Sequence, residues 1–365
     1  MTLSGTGPRR EFMKGNEAIC VGAIAAGCRY YYGYPITPQN DIPEYMAAHL
    51  PARGGTFLQA ESEVATINFI LGTSASGKRV MTSSSGPGIS LMQEGLSYMA
   101  GSELPAVIVN ISRSGPGLGG IAPSQGDYLQ AVKCGGHGGY KMPVLAPHSV
   151  QEMYDLTMLA FDLADKYRNP VMILGDAIVG QMKEPFVPTP YAPTVPPEKP
   201  WALTGCAGRP RQNVKSLYLK DDAIEVHNWK LHGKYARMRE EEVRAERYRM
   251  EGARIAIVAF GTAARVSKTA IQWARRDGIP VGLLRPITLF PFPAVPVDEV
   301  AREADAVLVI EMNTGQMVDD VRASTPHHDR IRFLGKPCAM PTPEEILGEI
   351  RRLARDVGLA TVKMP

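Results

Sequence analysis

The chain has 365 residues, a formal net charge of +3, 44% hydrophobic residues and 21% charged ones. That is apolar material enough for two domains at roughly 100–200 residues each, and it excludes a disordered chain. Forty Lys and Arg against 37 Asp and Glu is too even a balance for a dedicated nucleic-acid binder, and 36 Gly with 30 Pro but no Gly-X-Y period signals tight turns, not a collagen-like repeat.

At the N-terminus Arg9, Arg10 and Lys14 precede the apolar stretch 19–27, as they would in an export signal, and the segment ending at Cys28 resembles a lipoprotein cleavage box. The stronger reading is a helix over 17–28. Asn16 and Glu17 suit a helix N-terminus, and the chain runs on into an aromatic strand at 30–34. Helices are then predicted over 42–50, 63–77, 89–101 and 150–167, with strands at 56–59, 79–83, 106–112, 142–146 and 171–175. Such alternation predicts an α/β fold with a parallel sheet covered on both faces. Seven prolines between 184 and 200 mark an extended connector, and 221–250 reads as a charged, solvated helical arm. From Ala253 a second α/β unit begins, with strands at 255–260, 280–284 and 306–311 and helices at 262–277, 297–303 and 343–358. The predicted organisation is therefore a domain over 1–183, a connector and arm over 184–252, and a second domain over 253–365.

Five cysteines, Cys20, Cys28, Cys134, Cys206 and Cys338, are odd in number and none sits at CxxC spacing. This argues against a disulfide framework, a zinc knuckle or an iron–sulfur cluster built from this chain, and for a reducing, cytoplasmic setting. No apolar run reaches the roughly 18 residues that span a bilayer. Histidines show no metal-ligand spacing, so no metal site is expected, and no G-x-S-x-G elbow anchors a hydrolase.

Gly115–Gly120 fits G-x-G-x-x-G after a strand, but Pro123 and Gly126 interrupt the helix that should follow, and no acidic residue lies in the expected stretch beyond. A loop that lets a ligand or another subunit approach the backbone suits it better. Three strand ends carry more: YPITP (34–38), SSSGPG (83–88) and Arg113. In an open parallel sheet ligands bind beyond the C-terminal strand ends, so the three point to one crevice. Glu61 and Glu63 stand at the front of an apolar helix. Helical spacing aligns Glu63 with Ile67 and Ile70 and Glu61 with Ala65 and Asn68, which pushes Glu63 toward the core. A first-turn carboxylate complementing the helix dipole accounts for Glu63 equally well on spacing alone. In an apolar site its carboxyl could share a proton.

In order and spacing, YPITP, AESEVA, SSSGPG with ISLMQEG, ELPAVIVNISRSGPG and SQGDYLQA resemble the alpha subunit of the 2-oxoacid:ferredoxin oxidoreductases, which are thiamine-diphosphate enzymes. The similarity spans about residues 16–182 and continues through 255–317 as a transketolase-C-terminal-like domain. YYYGYPITPQNDIPEYM and LAFDLADKYRNPVMIL most resemble the branched-chain, 2-oxoisovalerate type.

The resemblance implies a pyrimidine-binding domain in which Glu63 bonds the aminopyrimidine ring and favours the imino tautomer that removes the thiazolium C2 proton. Thr37 would contact the substrate and Arg113 would pair with its carboxylate. Tyr34, Pro35, Ile36, Ser85, Gly86 and Gly88 would line the cofactor. The family's GDG element for the diphosphate and Mg2+ is missing; Gly175-Asp176-Ala177 comes nearest. The resemblance thus implies one subunit of a split enzyme. A beta subunit would carry the diphosphate and Mg2+, a ferredoxin-like subunit [4Fe-4S] clusters, and a gamma subunit would complete larger assemblies. The reaction implied is 2-oxo acid, coenzyme A and oxidised ferredoxin to acyl-CoA, CO2 and reduced ferredoxin. 2-Oxoglutarate and aryl-glyoxylates are rival substrates. An NAD(P)-binding dehydrogenase subunit and a non-catalytic scaffold are rivals of other classes.

Overall fold

A computed structural model describes residues 10–191 and 198–359. Arg9 and three of the connector prolines, Pro193, Pro196 and Pro197, lie outside the described residues. The first unit runs β1 (Glu11–Lys14), α1 (Gly15–Ala25), β2 (Tyr30–Gly33), α2 (Asp41–His49), β3 (Thr56–Gln59), α3 (Glu63–Ala75), β4 (Val80–Ser84), α4 (Gly86–Gly101), β5 (Ala106–Ser112), α5 (Tyr128–Lys133), β6 (Val144–Leu145), α6 (Val150–Tyr167), β7 (Pro170–Asp176), α7 (Ala177–Gln181) and β8 (Lys183–Phe186). The arm is α8 (Ala223–Glu241). The second unit runs β9 (Ala245–Tyr248), β10 (Ile255–Val258), α9 (Gly261–Arg276), β11 (Val281–Pro286), β12 (Thr288–Phe290), α10 (Ala294–Glu303), β13 (Ala306–Glu311), α11 (Met317–Ala323), β14 (Ile331–Gly335) and α12 (Pro343–Asp356).

The apolar stretch near the N-terminus packs into the core: Ala18, Ile19, Cys20 and Ala23 of α1 are fully buried. No helix among the described residues is long and apolar enough to cross a membrane. Local chemistry sets the helix starts. Ser62 caps α3 by accepting from the Ala65 N–H at 3.1 Å, and Ser149 caps α6 through the Glu152 N–H at 3.2 Å. Thr342 and Glu345 form a reciprocal capping box on α12.

The first sheet has seven strands in the order β12-β6-β7-β5-β4-β2-β3, parallel except for β12. The second has five, β14-β13-β10-β11-β9, with β9 antiparallel. β1 and β8 form a small antiparallel pair that fastens the chain's start to the end of the first unit. From β2 the chain steps outward to β3 and then back across to β4, so the sheet order reverses between β2 and β4. The turn after β2 and the loop after β4 meet at that reversal, the usual ligand position of such sheets.

The structure departs from the sequence reading in the second half. Residues 245–248, read as part of the charged arm, form β9, and Thr288–Phe290, between prolines, crosses to close the first sheet beside β6. The short elements α11 and β14 were not anticipated either.

The two units are joined at the second sheet's own reversal point, between β10 and β13. Gln125 donates to the Phe260 carbonyl at 2.9 Å and accepts from the Met312 N–H at 3.0 Å, while its backbone bonds Met312 and Asn313. Where an open sheet would receive a ligand, this chain inserts its own segment 124–126. Tyr128 adds a bond to Asp320 of α11 at 2.7 Å. On the opposite flank Arg285 of β11, 2% exposed, grips Glu152 of α6 and Glu246 of β9.

Candidate active site at the strand ends

Two neighbouring clusters occupy the C-terminal edge of the first sheet. One surrounds Glu63, which is 5% exposed in the first turn of α3, above buried Thr66, Ile67 and Ile70. Its carboxylate lies against the first turn of α4: a Cβ on Gly88 would overlap both Ser84 Oγ and Glu63 Oε1. The hydroxyls of Ser84 and Ser85 are buried without a hydrogen-bond partner among the described residues. Buried polar groups are normally paired, so two orphaned hydroxyls beside a buried carboxylate and a glycine cradle fit a polar ring bound here. The sequence placed Glu61 on the far side of this helix. Glu61 is indeed exposed, but for a different reason: α3 begins at Glu63, and Ser62 in extended conformation turns Glu61 off the helix altogether.

The second cluster surrounds Arg113, which is 8% exposed at the end of β5. It donates from Nη1 to the Thr37 carbonyl and from Nη2 to the Leu118 carbonyl, both at 3.0 Å, and its Nε is buried without a partner. Arg113 therefore ties the YPITP turn to the glycine-rich loop and keeps unspent N–H donors. That loop, 115–121, is exposed and folds back on itself, with Gly120 N–H bonded to the Ser114 carbonyl at 2.9 Å. It is not followed by the helix a dinucleotide site needs: α5 starts only at Tyr128.

A cavity of about 360 Å³ opens here between the units. Gly86, Pro87, Arg113, the loop and Asp127 wall one side; Asn313, Gln316 and Cys338 wall the other. Of the sequence-predicted residues, Arg113 and Gly86 line it. Thr37 adjoins it through Arg113, with Tyr34, Pro35 and Thr37 exposed on the turn and Ile36 half-buried. Glu63, Ser85 and Gly88 are off its wall, in the first cluster. The first turn of α4 joins the clusters, with Gly86 facing one and Gly88 the other.

Asp127 was not singled out from the sequence. Burial raises its carboxyl pKa, against the pull of the Asn110 amide, which donates to it at 3.0 Å, and of the Arg113 charge. Asp176, in the stretch that comes nearest to a GDG element, is already engaged within the chain. It caps α7 through the Ile178 and Val179 N–H groups and accepts from the Thr262 hydroxyl at 2.9 Å, and burial raises its pKa. Among the described residues no three His, Cys, Asp or Glu side chains cluster as metal ligands. Beside Glu63 the outer faces of α3 and α4 expose Val64, Phe69, Leu91 and Tyr98.

The sequence matches two family models end to end: the thiamine-diphosphate-binding domain of pyruvate flavodoxin/ferredoxin oxidoreductase over residues 21–252, and core domain II of pyruvate:ferredoxin oxidoreductase over 253–346. It is 52% identical over 319 residues to the ketoisovalerate oxidoreductase subunit VorB of Methanothermobacter marburgensis, covering 87% of this chain and 91% of the relative. It is 41% identical to the 2-oxoglutarate synthase subunit KorA of Archaeoglobus fulgidus, covering 85% and 90%. Its fold matches the 2-oxoglutarate:ferredoxin oxidoreductase from Magnetococcus marinus, solved with 2-oxoglutarate, coenzyme A and succinyl-CoA, at a TM-score of 0.83 and 29% identity. That match covers 94% of this chain and 65% of the solved one.

Proposed function

The chain belongs to the 2-oxoacid:ferredoxin oxidoreductase family, and from that membership we propose that it is the alpha-type subunit of an enzyme converting a branched-chain 2-oxo acid and coenzyme A to acyl-CoA and CO2, with ferredoxin taking the electrons. The observation that carries this reading is the pairing of a buried carboxylate, Glu63, among orphaned serine hydroxyls with a guanidinium, Arg113, one strand further along the same edge.

Glu63 with Ser84 and Ser85 would hold the pyrimidine end of thiamine diphosphate, with Tyr34, Pro35 and Ile36 on the adjoining turn. Thiamine diphosphate supplies the carbon that adds to the 2-oxo group and stores the electron pair left when CO2 departs. Glu63 would set its carboxyl group against a ring nitrogen. Arg113 offers its remaining N–H donors to the substrate carboxylate as a charge-assisted pair, and the exposed Thr37 stands beside it. Arg113 is the only cation on the cavity wall among the described residues, and Asp127 is the only acidic side chain there. A second substrate carboxylate, as in 2-oxoglutarate, would find no further cation on this cavity wall among the described residues, and the higher identity to the ketoisovalerate subunit agrees.

Among the described residues Asp176, the nearest counterpart of a diphosphate element, is consumed by α7 and Thr262. A beta chain would bring the diphosphate and Mg2+ site by covering the apolar α3–α4 face next to Glu63. A ferredoxin-like chain with [4Fe-4S] clusters would carry electrons onward in the cytoplasm, and a gamma chain would complete larger assemblies. The test is viologen reduction by the purified complex, with 2-oxoisovalerate, 2-oxoglutarate and phenylglyoxylate in parallel. kcat/KM should favour the branched substrate by at least about tenfold, the scale of a side-chain fit, and this chain alone should be silent. A preference for 2-oxoglutarate overturns the substrate assignment; full turnover by the single chain overturns the split site.

A further inference from the structure

The YPITP turn is held by its carbonyls. The Tyr34 carbonyl accepts from Gln39 Nε2 at 3.2 Å, Ile36 from the Gln39 N–H at 3.1 Å, Thr37 from Arg113, and Pro38 from Asn16 at 3.0 Å and Gln181 at 2.7 Å. Gln39 makes two of these contacts and is fully buried. Its carboxamide also reaches across the sheet reversal, where Oε1 accepts from Ser83 Oγ, and Ser83 Oγ lies 2.6 Å from the hydroxyl of Tyr31. Tyr31 is itself buried, stacked on Phe57, and held protonated by that burial.

The direction of every proton in this chain follows. A carbonyl can only accept, so the Gln39 nitrogen must face Tyr34, which leaves the Gln39 oxygen for Ser83. Ser83 then spends its single O–H on Gln39, so Tyr31 donates to Ser83. The next residues are Ser84, the last of β4, and Ser85, which leads into α4; their hydroxyls are the orphaned ones beside Glu63. One ordered relay thus links the turn that presents Thr37 to the strand end that presents the serines.

We infer that Gln39 is a positioning residue for the oxidoreductase reaction, locking the Thr37 turn against β4 so that the substrate carboxylate meets Arg113 in register with the cofactor. This inference rests on the turn being a 2-oxo acid site. Gln39 touches no substrate; it acts through Tyr34, Ile36 and Ser83.

The test uses the assembled complex, with Arg113→Ala as reference. Gln39→Leu should raise KM for 2-oxoisovalerate by about tenfold or more, since it takes the Nε2 donor from the Tyr34 carbonyl and the acceptor from the buried Ser83 O–H, with a smaller change in kcat. Calorimetric affinity for thiamine diphosphate should stay within about threefold. Gln39→Glu is the sharper variant and keeps the test alive should the leucine variant fail to assemble. A protonated carboxyl can replace the amide, accepting from Ser83 and donating to Tyr34, whereas a carboxylate sets an anion against the Tyr34 carbonyl. Gln39→Glu should therefore work near wild-type level at about pH 6 and lose about tenfold in kcat/KM by about pH 8, a limb absent from wild type, because burial raises a carboxyl pKa. If Arg113→Ala raises KM while Gln39→Leu does not, or if the Gln39→Glu profile is parallel to wild type, the positioning role is wrong and the site stands. If Arg113→Ala leaves KM unchanged, the substrate assignment falls and the inference falls with it.

Discussion

Arg285→Met tests how the two units are held together. Arg285 donates from Nη1 and Nη2 to the two oxygens of Glu152, at 2.9 and 2.7 Å, and from Nε to Glu246 at 2.7 Å. His148 adds a contact to Glu152 at 2.8 Å, and Lys268 one to Glu246 at 2.7 Å. Burial alone would raise the Glu152 pKa. The His148 hydrogen bond and the charge and hydrogen bonds of Arg285 outweigh it and bring the carboxyl down from 4.5 to about 2. At about 1.4 kcal/mol per pKa unit, this environment favours the folded, ionised state by about 3 kcal/mol at neutral pH. Removing one partner of a buried pair typically costs about 3–5 kcal/mol, so Arg285→Met, which keeps length and apolar stem, should lose about 3 kcal/mol by urea unfolding at pH 7. The sign with pH is fixed. A depressed carboxyl pKa gives stability that is present above the unfolded value and is lost as pH falls through the folded one. The gap between wild type and variant should therefore be widest near neutrality and close progressively from about pH 4.5 toward pH 2. A gap that is flat with pH, or below about 1 kcal/mol at pH 7, would refute the assignment of Glu152 as the partner that matters.

Two further outcomes concern the cofactor cluster. Glu63→Gln should leave the complex assembled yet slow C2–H exchange of bound thiamine diphosphate, read by NMR after deuterium quench, by about 100-fold or more; the exposed Glu61→Gln should not, and equal effects would return Glu63 to a helix-dipole carboxylate. Gly88→Ala should weaken cofactor binding in calorimetry, because its Cβ has no room beside Ser84 and Glu63. Gly72→Ala, on the same pair of helices but facing open space, should bind normally and gain up to about 1 kcal/mol of stability; identical behaviour of the two would remove the cradle from the site.

Most of the first unit was legible because its order is local. The mostly apolar run of β5, the helical stretches of α3 and α6 and the strand-to-loop transitions at YPITP and SSSGPG all lie within one window of sequence. What was illegible depends on distant partners. β9 reads as a charged stretch, AERY, and becomes a strand only because β11 lies alongside, with Glu246 meeting Arg285 and Lys268. β12 sits between prolines and has its partner in β6 of the other unit. The start of α11 has no capping residue of its own; buried Glu311, at the end of β13, takes the N–H groups of Met317 and Val318 at 2.8 and 2.9 Å. Of the site, the motif residues were visible and their division into two clusters was not, since only packing shows that Gly86 and Gly88 face different ways. SQGDYLQA was visible as a motif, but the role of Gln125 in docking the second unit depends on backbone groups more than 130 residues away, the Phe260 carbonyl and the Met312 N–H.

The crossing of β12 bears on the order of events during synthesis. Val144 and Leu145 of β6 are fully buried in the finished protein, with β7 on one side and β12 on the other. Their second neighbour leaves the ribosome about 145 residues later, which at about 5–20 residues per second means roughly 7–30 s with an apolar strand edge unpaired. During that interval the nascent first unit offers a ready template for edge-to-edge pairing with another chain. The time to residue 290, more than the time to the end of the first unit, is thus the window in which translation speed and chaperone occupancy govern how much of this subunit reaches its native form.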